Sequence, residues 1–220
     1  MNLGAAAIGA IAVAASAAVW ALNTVSPAST PSTNLPRHAL TVATPTGPTA
    51  VPADGRLFLT REQLAQAMAS GTLDRPVKSL LAVEKPLYFG DFQWNDRGVP
   101  AGPTWIRVDL GSQLISVFRA GHEIGTAVIV YGGDNKQTPL GRLHVLAKAR
   151  EHRSSTYDAE MPFTLRLTND GVSIHASDVR WGAATHGCIG VPLAFAQRLF
   201  DAASVGDEVT VVPADVRKSA

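Results

Sequence analysis

Alternating apolar and polar positions dominate residues 104–213. In WIRVDL, Ile106, Val108 and Leu110 recur every second residue, the period of a half-buried strand. QLISVFR follows after Gly111-Ser112, and Ala120-Gly121-His122-Glu123 turns the chain into IGTAVIVY. Gly132-Gly133-Asp134-Asn135 marks another turn. LHVLAK, FTLRL, VSIH and EVTVV read as further short strands. Between the last two, PLAFAQRLFDAA (192–203) has helical spacing with Pro192 in its first turn. Many short strands with turn signals between them predict a mainly β fold, closed or sandwiched, with a few short helices.

The pattern changes upstream. Residues 4–22 carry no charge and a single polar side chain, Ser16. The stretch is about as long as a membrane-spanning helix. Residues 1–23 are therefore expected to be a signal peptide or an N-terminal membrane anchor, although no Lys or Arg precedes the apolar run. Residues 24–54, rich in Pro, Ser, Thr and Ala without hydrophobic period, read as a disordered linker. Residues 55–103 read as a small helical preface. There Thr60 is positioned to cap LTREQLAQAMASG, Leu64, Ala67 and Met68 share a face, and Gly71 can end the helix. Residues 214–220 form a tail.

The 220 residues suffice for one domain with a sizeable core, and a net charge of +1 lacks the basic excess of nucleic-acid binders. The single cysteine, Cys188, rules out an intrachain disulfide and a multi-cysteine zinc site.

Cys188 lies in Thr185-His186-Gly187-Cys188-Ile189-Gly190, thirteen residues after His175 in Ile174-His175-Ala176-Ser177. A thiol needs a base to form the nucleophilic thiolate, and backbone N–H groups beside a glycine can stabilise an oxyanion. Cys188, His175 and the amides around Gly187 fit those roles. The same residue types also fit an inert buried thiol, or a metal site made by His175, His186 and Cys188. His122, His144 and His152 read as surface or packing residues, and Trp94, Trp105 and Trp181 as core or cleft wall.

The runs THGCI and IHAS resemble the catalytic signature of the L,D-transpeptidases, the YkuD-type domain. IRVDLGSQLISVFRAGHEIGTAVIVYGG, TPLGRLHVL (with Thr138 to Gly141) and PFTLRLTNDGVSIH resemble the segments that precede that signature, in the same order. The resemblance implies a β-sandwich or barrel-like catalytic domain over 104–213, with Cys188 as nucleophile and His175 as base. It further implies that Ala176 orients the imidazole through its carbonyl and that His186 and Gly187 shape the oxyanion loop. Ser177 is expected to hydrogen-bond within that loop. The implied reaction forms a Cys thioester with a peptidoglycan tetrapeptide stem, releases D-alanine and transfers the acyl group to an amine. No cofactor and no metal are implied. The protein is expected to be an exported monomer of the periplasm or cell envelope, held at the inner membrane if residues 4–22 are retained as an anchor. Tyr157, Arg180 and Trp181 are candidates for the substrate cleft. Gly190 stands where the family usually has Arg or Asn, and Arg180 or Arg166 is the candidate replacement. A hydrolase of peptidoglycan peptides using the same residues, and a non-catalytic wall-binding module, remain open alternatives.

Overall fold

The computed structural model describes residues 54–133, 136–154 and 158–213. The expected export segment (1–23), almost all of the linker (24–53), Tyr157 and the tail (214–220) lie outside the described residues. Among the described residues, no helix is long and apolar enough to cross a membrane.

The fold is mostly β. A six-stranded sheet is built from β3 (Phe92–Trp94), β4 (Thr104–Asp109), β5 (Leu114–Arg119), β6 (His122–Val128), β7 (Gly141–His144) and β12 (Glu208–Val212). Their order is β3-β6-β5-β4-β12-β7. A four-stranded sheet contains β8 (Ala147–Ala149), β9 (Thr164–Arg166), β10 (Ser173–Ala176) and β11 (Ile189–Val191), ordered β11-β10-β9-β8. Ile106, Val108, Ile115 and Val117 from the first sheet, and Leu165, Ile174 and Ile189 from the second, meet in one core. Helix α2 (Leu193–Ala202) adds Phe195, Ala196 and Leu199 to it.

Two expected strands are broken where the sheets divide the work. LHVLAK splits into β7, which pairs with β12, and β8, which pairs with β9, because Val145 plunges into the core between them. IGTAVIVY ends as a strand at Val128. Val130 then exchanges both backbone hydrogen bonds with Gly190 (3.0 and 2.8 Å), which ties the chain leaving the six-stranded sheet to β11.

The segment expected as a helical preface holds α1 (Arg61–Ala69), whose N-terminus is closed by a capping box between Thr60 and Gln63. It also holds a two-stranded ribbon, β1 (Arg56–Leu57) with β2 (Leu80–Leu81), and β3 joins the six-stranded sheet beside β6. The preface covers the outer face of β4 and β5. Leu73 and Val77 pack on Trp105 and Phe118, whose rings stack at 3.9 Å, and the Arg75 guanidinium lies 4.4 Å from the Trp105 ring. Covering both faces explains why β4 is buried almost throughout although its sequence alternates.

Candidate active site

The register of the four-stranded sheet assembles the site. Leu165, Ile174 and Ile189 point into the core, so their sequence neighbours point the other way. Ala147 pairs with Arg166, and Arg166 with Ser173. Cys188, one residue before the pair Ile174–Ile189, extends that row beside Ser173. Two positions along, Ala149 pairs with Thr164, and His175 pairs with Gly190. Apart from Gly190, the two rows form the floor of a cavity of about 730 Å³, walled by Lys136, His152, Met161, Asp170, Thr185 and His186 among others. His175 lies on β10 and Cys188 immediately before the adjacent β11, two positions apart along the register, and both line this cavity.

The electrostatics follow from burial. Burial pushes the Cys188 thiol pKa up, opposed by the Ser173 N–H and the Lys136 charge, while Asp170 adds to the rise. The Sγ also donates weakly to the Gly171 carbonyl at 3.9 Å. Burial pulls the His175 pKa down, opposed by its bond to Ala176, and His152 adds to the fall. His175 Nδ1 donates to the Ala176 carbonyl at 2.8 Å. A carbonyl can only accept, so Nδ1 carries the proton and Nε2 keeps its lone pair. The pair therefore rests as a neutral thiol and a neutral imidazole whose remaining nitrogen is a base.

The loop carrying Cys188 is held from two sides. Thr185 donates its hydroxyl to the Cys188 carbonyl and its N–H to the Tyr131 carbonyl (3.0 Å), and its own carbonyl accepts from the Gly133 N–H (3.2 Å). The buried Thr138 hydroxyl accepts from the Gly132 N–H at 2.9 Å, which fixes the neighbouring turn. Gly187 has φ +98°, a conformation that L side chains rarely adopt, beside the Lys136 stem. At Gly190 a Cβ would stand 2.7 Å from both the Ser177 Cβ and Val130 Cγ2. The Arg or Asn that the family resemblance leads one to expect there has no room unless Ser177 or Val130 moves. Ser177 itself donates its N–H to the Val191 carbonyl (2.9 Å) and fills that space.

Of the other sequence candidates, His186 lines the cavity. Arg180 and Trp181 are not brought into it. Arg180 pairs with Asp178 at 3.2 Å on the surface, and Trp181, 68% exposed, meets Phe89 edge-on at 5.7 Å. They sit on the loop after β10, beyond the strand face that floors the cavity. Arg166 does line the cavity. Among the described residues no cluster of three His, Cys, Asp or Glu side chains is placed to hold a metal, and His175, His186 and Cys188 form none. Sequence reasoning missed Lys136 and Asp170, an ion pair at 3.1 Å on the cavity rim. Both are ordinary loop residues in sequence, and only the fold brings them to the thiol.

Residues 103–211 match the family YkuD, the L,D-transpeptidase catalytic domain. L,D-transpeptidase 1 of Mycobacterium tuberculosis is 26% identical over 133 residues, which covers 52% of this chain and 53% of that protein. The chain thus spans about half the length of the curated relatives it matches. Among solved structures, an L,D-transpeptidase from Stackebrandtia nassauensis is similar at 23% identity with a TM-score of 0.47, over 52% of this chain and 57% of that one. The crystal structure of Mycobacterium tuberculosis L,D-transpeptidase 1 is similar at 26% identity with a TM-score of 0.44, over 50% and 61%. The family match begins one residue before β4 and ends within β12, so it takes in all four strands of the cavity floor, and residues 103–211 belong to the YkuD family of L,D-transpeptidase catalytic domains.

Proposed function

We propose that the protein is a cell-envelope L,D-transpeptidase that uses Cys188 as nucleophile and His175 as general base on peptidoglycan stem peptides. The observation that carries this reading is the tautomer of His175. Its Nδ1–H is engaged by Ala176, its ring is neutral, and its side chain lines the cavity floor that also presents the only cysteine. On substrate binding, Nε2 takes the thiol proton as Sγ bonds to the carbonyl carbon before the terminal D-alanine. The amides at Gly187 and Cys188 are the candidate donors to the oxyanion. Collapse breaks the C–N bond, the imidazolium gives its proton to the leaving nitrogen, and D-alanine departs. An acceptor amine then attacks the thioester, loses its proton to His175, and the sulfur leaves and is reprotonated.

The test is mass-spectrometric analysis of products from a tetrapeptide-stem muropeptide. Cross-linked dimers, or exchange of D-alanine for an added D-amino acid, are expected from the wild type. Cys188→Ala is expected to give neither while melting at a similar temperature. Cys188-dependent tripeptide alone would assign the protein to hydrolysis, and unchanged turnover in Cys188→Ala would remove Cys188 from the chemistry.

A further inference from the structure

Within the transpeptidase reading, we infer that Arg166 is the specificity residue that receives an internal carboxylate of the acyl donor. The cavity floor is made mostly of small side chains. In the row that contains the nucleophile, Ala147, Ser173 and Cys188 are short, and Arg166 is the one long side chain. Its position is set by register: Ser173 stands between it and Cys188, so the two backbones are two strand spacings, about 10 Å, apart.

The other cations around the cavity are engaged. Lys136 pairs with Asp170 at 3.1 Å. Lys148 pairs with core-facing Leu165, so its side chain leaves the face of β8 opposite the cavity floor, and its ammonium donates to the Phe200 and Ala203 carbonyls at the end of α2. Arg153, on the adjoining loop, pairs with Asp158 and Glu160. Arg166 has no acidic or hydrogen-bonding side-chain partner among the described residues, and it is exposed to the cavity. A guanidinium held by a strand among these short side chains is a fork for a carboxylate, which it can bind through two parallel hydrogen bonds.

Geometry selects which carboxylate. The carboxylate of the departing residue is three bonds from the scissile carbonyl and stays within about 4 Å of the sulfur's target. Lys136 is the cation whose charge reaches Cys188. Arg166, farther along the row, matches an acid group on the part of the donor that stays attached to sulfur. Such a contact fixes how the acyl chain lies across β10 and β9 before attack.

The test uses a stem tetrapeptide ending in D-alanine, prepared with its internal carboxylates free or amidated. D-alanine release is followed with the wild type, Arg166→Met and Arg166→Lys. Arg166→Met is expected to raise KM for the free-acid donor roughly tenfold or more, with kcat changed less than about twofold. Amidation should raise the wild-type KM by a similar factor and leave Arg166→Met unaffected, and Arg166→Lys should recover part of the preference. Equal effects of Arg166→Met on both donors, or no effect on KM, would overturn the inference. Peptide binding to Cys188→Ala and to Cys188→Ala/Arg166→Met, measured by calorimetry, separates the two readings. If the wild type releases no D-alanine but free-acid peptide still binds through Arg166, the transpeptidase reading fails and the carboxylate site stands. Turnover with no Arg166-dependent binding overturns the carboxylate site and leaves the transpeptidase reading intact.

Discussion

The sulfur of Cys188 is acted on by opposed influences from its surroundings. Burial and Asp170 hold it as a thiol, whereas the Ser173 N–H and Lys136 favour the thiolate. Alkylation reports this balance because only the thiolate reacts. At neutral pH, Lys136→Met is expected to slow iodoacetamide labelling of Cys188 a few-fold and Asp170→Asn to speed it; the reverse order would show that Lys136 acts on loop shape rather than charge. In the proposed mechanism His175 is the base, so its protonation sets the acid side of the pH profile. Burial holds its folded pKa below the ordinary 6.5, so kcat/KM should rise with pH through a midpoint below 6.5. An acid limb centred above 6.5 would mean that the imidazole is not the buried neutral base seen here. Gly190 is decided by space alone: Gly190→Asn must push Ser177 or Val130 aside, and should lower the melting temperature by several degrees while Cys188 remains reactive.

Helix α2 shows how one element is completed by another. It has no basic residue in its last turn, and its final carbonyls would face the sheet edge unmet. Lys148 of β8 supplies the charge: its ammonium donates to the Phe200 and Ala203 carbonyls and lies 4.5 Å from the Phe200 ring. Lys148→Met keeps the stem and removes the charge. It should cost about 1 kcal/mol of stability in urea denaturation, with the cavity's catalytic constants little changed. No sequence period announces such a contact, because β8 and α2 are linked only through the fold. What the sequence did announce was local. The alternation in β4 and β5, the Pro192 start of α2 and the Thr60 cap are each decided by neighbours a few residues away. Cys188 and His175 were singled out because a motif marks them, and the fold brings both to one cavity. Arg180 and Trp181 lie outside the lining of this cavity because the loop after β10 carries them past the strand face that floors it, which sequence alone does not reveal. The split of LHVLAK was hidden for the same reason: one buried valine hands the chain from one sheet to the other.

Across the whole molecule, the preface and the catalytic sheets are joined by buried charge. The Arg56 guanidinium, 4% exposed, donates to the Glu123 carbonyl (2.7 Å), to Ser79 Oγ (3.3 Å) and to the Asn95 carbonyl. The Glu123 carboxylate, on β6, accepts from the Leu81 N–H of β2 at 2.9 Å and is also bonded by Ser116. Burial nevertheless dominates and raises its pKa, against those two bonds and the Arg56 charge. A raised folded value means that the native state holds its proton more tightly than the unfolded chain. The corresponding stability is complete below the ordinary value of 4.5 and is lost as pH rises through the folded value. His175 has the opposite sign: its contribution is complete above 6.5 and is lost as pH falls through its lowered value. Glu123→Gln retains an acceptor for Leu81 but cannot ionise. Its stability relative to the wild type should therefore increase as pH is raised from 4.5 and level off above the folded Glu123 value, while the loss on the acid side due to His175 persists in both proteins. Urea denaturation followed from about pH 4 upward measures the difference directly. A difference between the two proteins that does not change with pH would mean that Glu123 titrates as it does in the unfolded chain, and that its carboxylate joins preface to sheet only as a hydrogen-bond acceptor.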